Sequence, residues 1–356
     1  MTMHNYSVVS TAQSLEERWR EFRQQHPGVW TRDAAEVLEV SEAELLATGC
    51  GGGVTRLSGR WRPLLEILPS LGEVKTMTRN ASAVIEKWGR YERVEIAGNL
   101  GQVVGEEIDL RLFMHHWKSG YAVREEGKHG LRHSLQFFDA AGTSIHKVYV
   151  EDEGALRVYG EIVHGFTSAD QTPRTDVVPP PAAAAERPDI EVDAAGLCAA
   201  WDGMQDTHEF FGILRGFGVT RAQAFRVGGP GRARRVVPSA AATILAGAAV
   251  DSTPIMVFVG SRGVLQIHTG PVQHVRPAGA WLNVLDRRFN LHLCEDRITE
   301  AWVVKKPTRD GLVTSLELLN AGGETIAMFF GKRKPGELES EAWRAATGAL
   351  DDEVRP

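Results

Sequence analysis

Cysteine is scarce in this chain of 356 residues: Cys50, Cys198 and Cys294 stand far apart, with no CxxC pair. That excludes a disulfide framework and a thiolate zinc site, and it fits a reducing compartment. No apolar run approaches the roughly 18 residues of a membrane-spanning helix, and the opening MTMHNYSVVSTAQSLEERW lacks the charged-then-apolar order of a secretion signal. Cations are not in excess either. A net charge of −6 argues against general nucleic-acid binding, so basic residues matter here by position. No GxxxxGK(S/T) motif is present, and Gly51-Gly52-Gly53 has no flanking strand and helix to make it a phosphate loop. These absences lead us to expect a cytoplasmic protein with no membrane insertion and no nucleic-acid partner.

What is present is the composition of a soluble globular protein, 43% hydrophobic and 24% charged. The length suits two domains of about 150 to 180 residues. Residues 89–113 match 270–294 at an offset of 181, and residues 121–150 match 301–330 at an offset of 180. Val40-Ser41-Glu42-Ala43 likewise matches Val219-Thr220-Arg221-Ala222. In this register acids become bases: Glu42 aligns with Arg221, Glu125-Glu126 with Lys305-Lys306, and Asp152-Glu153 with Lys332-Arg333. One fold has been built twice, and the second copy made electropositive at chosen points. The stretch 172–189, with five prolines and four consecutive alanines, reads as a semi-extended linker that packs no core. We therefore expect a first repeat at 11–168, a linker at 169–188 and a second repeat at 189–350.

Each repeat opens with helices. Ser14 and Glu17 form a capping-box pattern, and residues 31–46 and 207–225 both read as helix, turn, helix. Strand-type runs follow at 64–68, 83–87, 102–113, 121–124, 134–138 and 147–149. The second copy has them at 255–260, 264–269, 280–285, 290–294, 301–305, 314–319 and 325–330. Residues 139–142 and 320–323 are hairpin joints with Gly where positive φ is needed. Strands come in blocks after helices, which predicts an α+β fold by internal duplication, each repeat with a large antiparallel sheet plus helices. The helix-turn-helix pattern at 31–46 carries Glu36, Glu39, Glu42 and Glu44 where phosphate contacts would need cations, so it does not read as a DNA-binding module.

The second repeat gathers the candidate chemistry. Asp206 or Thr207 can cap a helix with His208 in its first turn, where the dipole favours neutral, metal-binding imidazole. Repeat one has Val29 at that position. Arg221 starts the next helix, where the dipole offers a cation nothing, so an anion bound there would explain it. Lys305 and Lys306 point to opposite faces of a strand, and Lys306 is the choice for the inward one. Phe329-Phe330-Gly331-Lys332-Arg333-Lys334 ends a strand in two aromatics and three cations, whereas its counterpart in repeat one is acidic. In repeat one, Asp109–Phe113 alternates, with Leu110 and Leu112 toward the core and Arg111 and Phe113 on the other face. The plainer reading of Arg111 is a surface pair with Asp109. An imidazole, several cations and exposed aromatics describe a large flat anion with a metal centre, and haem fits. With no CxxCH sequence, haem would be held non-covalently, as haem b.

TRNASAVIEKWGRYE, GEEIDLRLFMHHW, DTHEFFGILRGFGVTRAQAFRV, FNLHLCEDRITEAWVVKKPTRDGLVTSLEL and FFGKRKPG resemble the bacterial cytoplasmic haem-handling proteins of haem-uptake operons, also called hemin-degrading factors. The resemblance covers nearly the whole chain. It implies haem in a cleft of the C-terminal half, with His208 as iron ligand and Arg111, beside Phe113, as a distal arginine supplied by the first repeat. It places Arg221, Lys306 and Arg333 at propionates or the haem edge, and Phe330 in the pocket where some relatives have tyrosine. Met328 stands where some members have glutamine. The function so implied is to receive imported haem and to traffic or store it for iron acquisition. Its partners would be a haem-uptake transporter and a haem oxygenase or other acceptor. The alternative is a haem-degrading enzyme that opens the ring, with Arg111 as distal donor.

Overall fold

Gly142 and Gly323 both take a φ of 73°, turning the chain at the two hairpin joints marked in the sequence. The structure is a computed structural model and describes residues 13–127, 130–180, 185–333 and 336–353. Linker residues 181–184 and Lys334 of the basic turn lie outside the described residues, as do the first twelve residues.

The chain divides into two units, the first made of Met1–Arg79, Glu86–Pro181 and Ser261–Leu265. In chain order its elements are α1 (Leu15–Gln25), α2 (Thr31–Val37), α3 (Glu42–Ala47), β1 (Val54–Arg56), α4 (Trp61–Ile67), β2 (Glu73–Arg79) and β3 (Ala83–Arg90). Next come β4 (Arg93–Ala97), β5 (Leu100–Val104), β6 (Asp109–Phe113), β7 (Ser119–Gly127), β8 (Gly130–Phe138), β9 (Ser144–Val150) and α5 (Leu156–Phe166). Strands neighbour one another in the order β1-β7-β8-β9-β2-β3, and β4, β5 and β6 form an antiparallel ribbon. The capping box is closed: Ser14 Oγ accepts from Glu17 N–H at 3.3 Å, and Glu17 accepts from Ser14 N–H at 2.9 Å. On one face of the sheet α4 and α5 pack Leu64, Leu65, Tyr159 and Ile162 against Val74, Leu135 and Val148. On the other, Ala43 and Ala47 of α3 pack against Val54, Tyr121 and Val123.

The second unit comprises Asn80–Ile85, Ala182–Gly260 and Gln266–Pro356. Its helices are α6 (Ala194–Asp202), α7 (Glu209–Phe217), α8 (Arg221–Gly228), α9 (Ala240–Asp251) and α10 (Glu341–Gly348). Its strands are β10 (Ala233–Val236), β11 (Ile255–Gly260), β12 (Val264–Gly270), β13 (Val275–Ala278), β14 (Trp281–Asp286), β15 (Phe289–Cys294), β16 (Glu300–Thr308), β17 (Gly311–Leu319) and β18 (Thr325–Gly331). The order β10-β16-β17-β18-β11-β12, with a β13-β14-β15 ribbon, repeats that of the first unit strand for strand. One face buries Val257, Val303, Leu316, Leu318 and Phe329 under α9 and α10. The other buries Trp302, Val304 and Leu319 under α6, α7 and α8.

Two local readings differ. Residues 64–68 are not a strand: a short apolar run satisfies helix and strand alike, and here α4 continues into a helical turn at Leu68–Leu71. The run 102–113 breaks between β5 and β6, at Gly105-Glu106-Glu107-Ile108. The linker stretch also finds partners for its backbone and its carboxylates. Arg56 donates to the carbonyls of Thr172 and Arg174, and Val178 N–H to Ala140 O at 2.7 Å. At its far end Glu186 and Asp189 bind Arg226, and Glu186 also accepts from Thr220 Oγ1. The units are also discontinuous in sequence, since residues 80–85 and 261–265 each group with the unit formed mainly by the other repeat.

Candidate functional site

α7 begins at Glu209, so His208 is its N-cap residue, with no capping bond from its own side chain. Asp206 organises this turn instead. Its Oδ1 accepts the backbone N–H of His208 at 2.8 Å and lies 2.6 Å from the ring Nδ1. The backbone hydrogen bond, with the ring contact adding to it, holds the Asp206 carboxyl below its ordinary value. An ionised carboxylate at Nδ1 requires the ring hydrogen there, so in the neutral ring Nε2 carries the lone pair. The side chain is 88% exposed. A carboxylate fixing one nitrogen while the other stays open is how proteins orient metal-binding imidazoles. The tautomer is therefore set by Asp206, two residues upstream, and the helix dipole is not needed to explain it.

Lys306 is the inward member of its pair, 4% exposed, while Lys305 is exposed. Arg221 is the first residue of α8, whose Thr220 cap accepts Gln223 N–H at 3.1 Å. The anion that Arg221 meets is the protein's own: its Nη1 donates to Glu317 Oε2, and Lys306 Nζ donates to Glu317 Oε1. Ser315 Oγ adds a bond to Oε1 at 2.8 Å. Glu317 is 0% exposed, and burial pushes its carboxyl up, but Arg221 and Lys306 outweigh that and hold it at about 2. For Lys306 burial weighs more than the attraction of Glu317, so its ammonium sits below the usual lysine range. Both cations lie over the Phe210 ring, Lys306 Nζ at 4.9 Å and Arg221 Cζ at 5.4 Å from its centroid. Two cations against one carboxylate leave a single positive charge.

Strand register places an apolar surface next to this cluster. Val304, Ser315, Phe330 and Met256 oppose one another across β16, β17, β18 and β11, and so do Trp302, Glu317, Met328 and Phe258. Directly opposed residues share a face, here the one under α6 to α8. Met256, Phe258, Met328 and Phe330 alternate as a Met/Phe checkerboard and are half-buried, outside the cores beneath the helices. The Phe258 and Phe330 rings meet at 4.9 Å, edge to face. Arg333, two residues past β18, is half-buried, and its charge is felt by the buried Glu339. His208, Arg221, Lys306, Phe330 and Arg333 thus all belong to the second unit.

Arg111 and Phe113 belong to the first. Leu110 and Leu112 of β6 are buried, while Asp109, Arg111 and Phe113 are half-buried on the alternate face. Arg111 Nη1 donates to Asp109 Oδ1 and to Leu110 O at 3.1 Å, which is the plainer pairing the sequence allows. Among the other histidines, His268 is 5% exposed with its ring stacked 3.6 Å from that of Phe289. His115 and His116 lie ring to ring at 4.0 Å.

Sequence reading missed Glu317, Met256 and Phe258, and gave Asp206 only a capping role. The signals were there: a lone acid in the apolar alternation of Thr314-Ser315-Leu316-Glu317-Leu318-Leu319, and an Asp two residues before a His, which favours a side-chain-closed turn.

Comparison with known proteins gives the family and the fold. A family described as the haemin-degrading HemS.ChuX domain matches residues 39–166 and again 218–350. Hemin transport protein HmuS of Yersinia pestis is 40% identical over 95% of this chain and 97% of its own. Holo-PhuS, a heme-binding protein from Pseudomonas aeruginosa, superposes with a TM-score of 0.93 at 39% identity, covering 95% of this chain and 99% of that one. ChuS, described as an E. coli heme oxygenase, gives a TM-score of 0.85 at 37% identity over 95% and 99% of the two chains.

Proposed function

The chain belongs to the haemin-degrading HemS/ChuX family, and from that premise we propose that it is a cytoplasmic haem carrier. It receives imported haem and traffics or stores it for iron acquisition. The observation that carries this is His208, whose Nδ1 is engaged by Asp206 and whose Nε2 is open, in the same unit as a half-exposed Met/Phe surface and a cation cluster.

These residues fit haem b held without a covalent bond. His208 would ligate the iron. Met256, Phe258, Met328 and Phe330 offer the macrocycle apolar area, the main source of affinity at about 25 cal/mol per Å² buried. Arg221, Lys306 and Arg333 would neutralise propionates, and charge-assisted bonds to carboxylates are the strong ones. A part for Arg111 and Phe113 of the first unit in haem binding is proposed from the family resemblance alone. Asp109 and Leu110 engage only Nη1 of Arg111 and the guanidinium keeps further N–H donors, so a ring-opening enzyme with Arg111 as distal donor is the alternative. The partners fitting a carrier are a haem-uptake transporter and a haem oxygenase or other acceptor.

Haemin-loaded protein incubated with ascorbate in air, then mixed with apomyoglobin, separates the two roles. A carrier passes intact haem to the acceptor. Loss of the Soret band with release of chelatable iron before mixing would establish the degrading enzyme.

A further inference from the structure

Glu317 is a buried acid in a site built to take an acid. Removing a carboxylate from water is costly, and an apolar residue of similar size avoids that cost. At 0% exposure it nonetheless receives bonds from Arg221 of α8, Lys306 of β16 and Ser315 of its own strand. The other elements around it bring Phe210, Trp302 and Met328, none ionisable. Among the described residues, Arg221 and Lys306 are the charged groups that face it.

We propose that Glu317 is the positioning residue of the anion anchor. It keeps Lys306 protonated in a buried place and sets Arg221 and Lys306 about one carboxylate, so that a single positive charge remains for a ligand carboxylate. This rests on the reading of the site as a haem site. Burial and the neighbouring Arg221 both work against the charged ammonium, while Glu317, with the face of Phe210, works for it. Buried lysines without an acid give up their proton readily. Without Glu317 the anchor would carry two positive charges with Lys306 protonated and one without, so its charge would follow pH. With it, the anchor keeps its charge across the neutral range.

The test uses the full chain with Glu317→Gln, which keeps the shape and the hydrogen bond from Ser315. In ligand-free protein with 13Cε-labelled lysine, the Lys306 signal is assigned by its loss in Lys306→Met. Lys306 is expected to hold its proton to a higher pH in wild type than in Glu317→Gln. Haemin affinity is expected to be flat as pH rises from neutral for wild type and to fall about tenfold with rising pH in Glu317→Gln, the worth of one charged hydrogen bond. It becomes flat again in Glu317→Gln/Lys306→Met. A Lys306 that titrates alike with and without Glu317 overturns the proposal. So does an affinity loss in Glu317→Gln that is the same at every pH, the mark of a purely structural role. If no version binds haemin, the haem reading fails, and the lysine titration alone decides the role of Glu317.

Discussion

Asp206→Asn is the sharpest perturbation of the proposed ligand. Asparagine keeps the size and the oxygen that accepts the His208 N–H at 2.8 Å, so the start of α7 is preserved. What is lost is the negative charge 2.6 Å from Nδ1, which fixes the ring hydrogen and makes Nε2 a better donor to iron. Partners that orient a metal-bound imidazole are worth about 10- to 100-fold in metal affinity. Asp206 is 53% exposed, so solvent screens much of its field. The lower end applies, about tenfold or roughly 1.4 kcal/mol. Haemin titration followed in the Soret region measures it, with the thermal midpoint of the apoprotein as control. Wild-type affinity in Asp206→Asn would refute the argument and reduce Asp206 to a cap.

Other outcomes follow from the same physics. Phe330→Ser removes part of the apolar surface beside Phe258 while sparing His208. Haemin affinity should fall by roughly tenfold, about 1–2 kcal/mol for a half-buried aromatic, with the Soret position unchanged. In the first unit Lys147 donates to the buried Glu42. Lys147→Met strands that carboxylate and should cost about 3 kcal/mol in urea unfolding, while Lys147→Met/Glu42→Leu should recover most of it. The Glu317 carboxyl is depressed to about 2 in the folded protein, so its contribution is complete above the ordinary carboxylate value of 4.5 and is lost as pH falls toward 2. That is worth about 3 kcal/mol, and urea midpoints should fall less steeply between about pH 5 and pH 2.5 in Glu317→Gln than in wild type.

The duplication was legible because it is written in matched residues, and the hairpins because Gly142 and Gly323 occupy positions that need positive φ. The alternation of residues 109–113 gave the faces of β6, and Lys306 proved the inward lysine because adjacent strand residues must part. Residues 64–68 were ambiguous because Leu-Leu-Glu-Ile-Leu has no period that separates a short helix from a buried strand. The partners of the cations were harder. Arg221 asked for an anion, and the sequence could not show that Glu317, 96 positions away, already supplies one. The proline composition of the linker describes what the segment cannot pack, not which carboxylates and carbonyls it offers to Arg56 and Arg226.

The central claim is a haem site with His208 as iron ligand, and a haemin titration of purified wild type and His208→Ala tests it most directly. The account predicts saturable one-to-one binding by wild type with a sharp Soret band, and a band that shifts or disappears in His208→Ala. Identical spectra and affinities for the two proteins would contradict His208 as ligand, and no saturable binding by either would contradict the haem site itself.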